Sequence, residues 1–146
     1  MAFGKENVDV EYCNYDDIDD KVEEFMEDDG LYRSYDKIFI TDISVSDSVA
    51  NMIDILDRVD RRVQLFDHHG TALFLNKYDW CMIKEDIYLE NIIKTCGTEL
   101  FCVFDLWLEY LNIYTPEVRG KIIQFVDIVR NYDTWRWKEL DDKGLI

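Results

Sequence analysis

Histidine is all but missing from this chain: His68 and His69 are the only two in 146 residues, so whatever imidazole does here it does in one place. Proline appears once and the six glycines are dispersed, which leaves no linker, repeat or low-complexity tract. The four cysteines, Cys13, Cys81, Cys96 and Cys102, form no Cys-x-x-Cys pair. That argues against a zinc ribbon or a disulfide framework and for reduced, mostly buried thiols. No apolar run approaches the roughly 18 residues of a membrane span. The opening MAFGKENVDVEY has neither the basic start nor the apolar core of a signal peptide. Together these absences lead us to expect a cytoplasmic protein. Basic residues are scarce too: 16 Lys and Arg against 32 Asp and Glu give a formal net charge of −16. Long-range attraction to duplex nucleic acid is therefore not expected. A divalent cation or a basic protein surface suits that balance, although acidity also serves solubility alone.

What is present is a globular composition, 48% hydrophobic and 14% aromatic, expected to fold as a single domain over 1–146. NVDVEYCNY alternates Val8, Val10 and Tyr12 as a strand does. DDIDDKVEEFMED reads as a helix with Asp20 as cap and Val22, Phe25 and Met26 on one face. KIFITD is a short continuous apolar run of the buried-strand kind. SDSVANMIDILDRV places Val49, Met52, Ile53, Leu56 and Val59 at helical spacing behind a candidate cap, Ser46. RVQLFDHH is a second buried strand, and WCMIKEDIYL holds a further candidate. The alternation predicts an α/β fold with a parallel sheet and right-handed crossovers. The second half reads as mostly helical. One amphipathic helix runs along Leu100, Val103, Phe104, Trp107, Leu108 and Leu111, and another opens at Thr115-Pro116-Glu117 and buries Ile122, Phe125, Val126 and Val129. Its aromatic end, NYDTWRW, fits core better than a stacking platform.

Two of these buried strands end in acids, KIFITD at Asp42 and RVQLFDHH at Asp67-His68-His69. Open α/β sheets bind ligands at the carboxyl ends of their strands, so Asp42 and the histidines should converge. Carboxylate beside imidazole suits Mn²⁺, Mg²⁺, Zn²⁺ or Fe²⁺, and an aspartate beside a liganding histidine also serves to fix its ring. The bland alternative is that Asp67 caps a turn while the histidines end a strand. The order strand, acid, crossover, strand, Asp-His-His favours a site.

LFDHHGT, preceded by IFITDIS and followed by CGTELFCVFDLW, resembles the DHH-superfamily phosphoesterases of the oligoribonuclease and RecJ-like, phage-type branch. The resemblance runs from about residue 8 to about residue 137. It implies a three-layer DHH-like domain that is truncated at its N-terminus, without the Asp-x-Asp motif, and that lacks the C-terminal substrate domain. It also implies Asp42, His68 and Asp133 as metal ligands for Mn²⁺ or Mg²⁺, and without the Asp-x-Asp motif these are expected to hold one ion where the family holds two. Asp67 would be a ligand or the group orienting one, and His69 would face the scissile phosphate, so that these two are the catalytic pair. Thr98 and Arg136 would contact substrate phosphate; Glu99 is a second helix-start candidate or simply a dipole-favoured acid. Asp127 is a weaker candidate ligand, and Arg130 and Lys138 are further cations near Asp133. Two functions follow. One is metal-dependent hydrolysis of short oligonucleotides or cyclic dinucleotides by a reduced or lost centre. The other is a non-catalytic acidic interaction protein, such as a phage-encoded nucleic-acid mimic inhibiting a bacterial defence nuclease. A homodimer would cover the sheet edge left by a missing first strand.

Overall fold

In the computed structural model the described residues are 5–85, the backbone of 87–89 and 92–94, and the helical positions 117, 120, 121, 124, 128, 131 and 132. The order is helix α1 (Ile18–Glu27), helix α2 (Asp29–Arg33), strand β1 (Ile38–Thr41), helix α3 (Asp47–Leu56), strand β2 (Val63–Asp67), a 3-10 helix (Gly70–Lys77) and strand β3 (Cys81–Ile83). Strands β4 (Ile87–Leu89) and β5 (Ile92–Lys94) form a separate antiparallel pair. The fold is α/β, as the alternation of elements predicts.

β2 is central, with β1 and β3 on either side, and both pairings are parallel. Ile38 stands beside Val63 and Thr41 beside Phe66, while Leu65 stands beside Cys81 and Asp67 beside Ile83. A parallel strand covered on both faces needs apolar side chains on both, and Val63, Leu65 and Phe66 are all buried. Val49, Ala50 and Ile53 of α3 and Ile18 and Met26 of α1 pack into the same core, which Leu75, Trp80 and Ile83 complete. Ser46 caps α3 by accepting the Val49 N–H. Among the described residues no helix is long and apolar enough to cross a membrane.

Three expectations change. Residues 8–14 form no strand: Val8, Val10 and Tyr12 are exposed, and the Tyr12 carbonyl accepts from Lys21 Nζ at 2.7 Å instead of from a neighbouring strand. Alternation gives a strand two faces but supplies no edge to pair with. α1 begins at Ile18, so Asp20 lies inside its first turn with Asp19, where the helix dipole favours acids, and Asp17 is the N-cap. α3 stops at Leu56, leaving Leu56 and Val59 exposed, because Asp57 turns inward. Its carboxylate accepts from the Tyr32 hydroxyl at 2.5 Å, the Arg62 N–H at 2.8 Å and the Val63 N–H at 2.9 Å. One buried acid thus joins α2, α3 and the start of β2, and buried donors it satisfies would otherwise be left unpaired. Burial first, and the Asp57 carboxylate second, push the Tyr32 hydroxyl well above its ordinary pKa, so it stays a donor.

Candidate metal centre

Because β1 and β2 are parallel, their carboxyl ends reach the same edge of the sheet. The Asp42 N–H still donates to Phe66 O at 2.9 Å, one residue beyond β1, and the Lys84 N–H donates to Asp67 O at 3.0 Å on the other side of β2. Pairing therefore grips the backbone up to the site. Asp42 has φ 62, the left-handed region that aspartate tolerates better than most residues but at some cost in strain. With its backbone so turned, Asp42 Oδ1 lies 3.0 Å from His68 Nε2. The hydrogen bond from His68 holds the Asp42 carboxyl below the usual carboxylate range, against the opposing effect of partial burial; the charges of His68 and His69 add to the lowering.

Asp67 is 1% exposed. Its Oδ1 accepts from the His68 N–H at 2.7 Å, the His69 N–H at 3.3 Å and His69 Nδ1 at 2.7 Å, while Oδ2 accepts from the Ser44 hydroxyl. Both oxygens are committed to holding neighbours. A carboxylate accepts only, so His69 Nδ1 carries a proton, and in the neutral ring Nε2 presents its lone pair outward. Asp67 has the arrangement of a group that orients an imidazole.

Asp42, Asp67, His68 and His69 each offer a ligand atom, and these atoms lie within 4.8 Å of one another. Carboxylate and imidazole donors 3.0 Å apart, as Asp42 Oδ1 and His68 Nε2 are, have the spacing of adjacent ligands on one ion with bonds of about 2.1 Å. The donor set suits a small divalent cation. The expected convergence of Asp42 with the histidines is present. Asp133, Thr98, Arg136, Glu99 and Asp127 lie outside the described residues.

Two participants went unforeseen. Ser44 reaches Asp67 from the β1–α3 loop, and the Tyr15 hydroxyl stands 3.4 Å from His69 Nε2. Neither belongs to a periodic pattern. The serine in IFITDIS, two residues past the strand-end acid, was the only hint of the first.

A parallel α/β sheet with an Asp-His-His segment at its carboxyl edge accords with a DHH-superfamily relationship. The likeness has a particular bearer: the chain is 28% identical over 143 residues to the oligoribonuclease NrnB of Bacillus subtilis (strain 168), a stretch covering 98% of this chain and 34% of that protein. The chain thus spans about a third of the length of the relative it matches. No family model matches the chain, and no solved structure does.

Proposed function

We propose that this chain is a metal-dependent phosphoesterase domain acting on short oligonucleotides, with cyclic dinucleotides as further substrates, in a cytoplasmic setting. The observation that carries the reading is the Asp42–His68 pair beside a buried Asp67 that fixes His69. Similarity to an oligoribonuclease supports the substrate class. Asp42 and His68 would hold one Mn²⁺ or Mg²⁺, with Asp133 as third ligand, a centre reduced relative to a two-ion site. A divalent ion there supplies Lewis acidity toward a phosphoryl oxygen. The chain's own part is to orient: Asp67 fixes His69, and His69 presents Nε2 beside the scissile phosphate, where the neutral ring would take the proton released by the attacking water. Thr98 and Arg136 are the further phosphate contacts in this reading.

The test is Mn²⁺-dependent hydrolysis of a linear dinucleotide, a cyclic dinucleotide, a short single strand and pyrophosphate, with His68→Ala beside the wild type. Turnover of the linear substrates that disappears in His68→Ala is the expected result. Folded, metal-loaded protein that turns over none of them overturns the reading. The net charge of −16 favours one other function, an acidic protein that binds the basic surface of a nuclease. Salt-sensitive capture by a basic nuclease, unaffected by His68→Ala, distinguishes it.

A further inference from the structure

Tyr15 comes 54 positions before His69, yet its hydroxyl is 3.4 Å from His69 Nε2. The two rings meet edge to face, with centroids 6.2 Å apart and planes at 86°. His69 Nδ1 faces the Asp67 carboxylate, so in the neutral ring Nε2 is the acceptor and the phenol the donor. The position is built into the fold. The Asn14 N–H donates to Asp17 Oδ1 at 2.6 Å and the Ile18 N–H to Asn14 O at 3.0 Å, closing the turn that carries Tyr15 into α1. One turn on, Asp19 Oδ1 accepts from the Ser46 N–H at 2.9 Å, tying α1 to the loop that bears Asp42 and Ser44. Yet Tyr15 is 70% exposed, where the core tyrosine, Tyr32, is 3% exposed. Core packing does not account for a phenol fixed at the mouth of the centre and left open to water.

We propose that Tyr15 is a substrate-binding residue whose ring stacks on the nucleobase next to the scissile phosphate. The centre then selects single-stranded nucleotidyl substrates over phosphate esters and anhydrides that lack a base. This inference rests on the phosphoesterase reading above. A phosphate held in the centre beside His69 brings its own nucleoside within reach of the ring that touches Nε2. The 3.4 Å hydrogen bond is long and easily given up as the ring adjusts. With a formal charge of −16 the chain gains no long-range attraction for a phosphodiester, so affinity must come from the ion and from uncharged contacts. Base-on-aromatic stacking is such a contact: it tolerates any base and needs one that is not already paired.

The experiment measures equilibrium binding of a phosphorothioate-linked dinucleotide, and of its abasic analogue with the same phosphate, to the Mn²⁺-loaded 146-residue chain by calorimetry. Wild type is compared with Tyr15→Phe, Tyr15→Trp and Tyr15→Ala, and Mn²⁺ affinity is measured for each. Tyr15→Ala should weaken the dinucleotide roughly 10-fold while Phe and Trp stay within about twofold of wild type, with the abasic analogue and Mn²⁺ bound alike by all four. The inference is overturned if Tyr15→Ala binds the dinucleotide as wild type does. It is equally overturned if the abasic analogue loses as much, or if wild type shows no preference for the based substrate. Hydrolysis is scored separately. A Tyr15-dependent preference without turnover removes the phosphoesterase reading and keeps the stacking contact; turnover without the preference does the reverse.

Discussion

Asp42 does two jobs at one position: its backbone occupies a left-handed turn at φ 62, and its carboxylate meets His68 at 3.0 Å. Asparagine shares the tolerance for positive φ, so Asp42→Asn isolates the charge from the turn. A carboxyl whose folded pKa lies below its unfolded one stabilises the native state above the unfolded value. That contribution is lost as the pH falls through the folded value. Wild type should therefore exceed Asp42→Asn in stability at about pH 6, and by less at about pH 3, below the ordinary aspartate value. The side chain is 58% exposed, so solvent screening keeps the gap under about 1 kcal/mol. Urea unfolding of both proteins at the two pH values checks this; an undiminished gap in acid would mean that the turn, not the charge, is responsible.

Among the elements, β1 and β2 were legible because both are continuous apolar runs, β2 almost wholly buried and the edge strand β1 only partly, and those runs ended where Asp42 and Asp67 do. Ser46 was legible because a cap needs only its own next three residues: its side chain accepts from the Val49 N–H. Replacing Ser46 with Ala should cost about 1 kcal/mol, whereas Ser46→Asp, which keeps an acceptor, should restore most of it; thermal or urea melting reads both. What the sequence hid was decided between distant segments. Val8, Val10 and Tyr12 have a strand's alternation but lie exposed, with Lys21 and not a neighbouring strand on the Tyr12 carbonyl. Asp57 reads as one more surface acid until Tyr32, Arg62 and Val63 are seen to converge on it. The histidines announced the centre, but Ser44 and Tyr15 reach it across 23 and 54 residues, and no local pattern encodes such a reach.

For the whole molecule, the excess of 32 acidic over 16 basic residues outweighs the ion pairs that relieve it. Lys21–Glu11, Arg33–Asp29, Arg61–Asp79 and Lys77–Asp47 have at least one well-exposed partner each and contribute little. Screening should therefore stabilise this protein: raising NaCl from about 0.05 M to about 0.5 M should raise Tm, because like-charge repulsion is screened more than the few attractions. A falling Tm would show that the pairs dominate. The charge is not all spread over the surface, however. The two buried polar side chains among the described residues, Asp57 and Asp67, sit at opposite ends of β2, one anchoring the backbone where the strand begins and the other aiming an imidazole where it finishes. Neither end is expendable: Asp67 also accepts from the backbone N–H groups of His68 and His69, so losing it would leave these donors unpaired as well as freeing the imidazole.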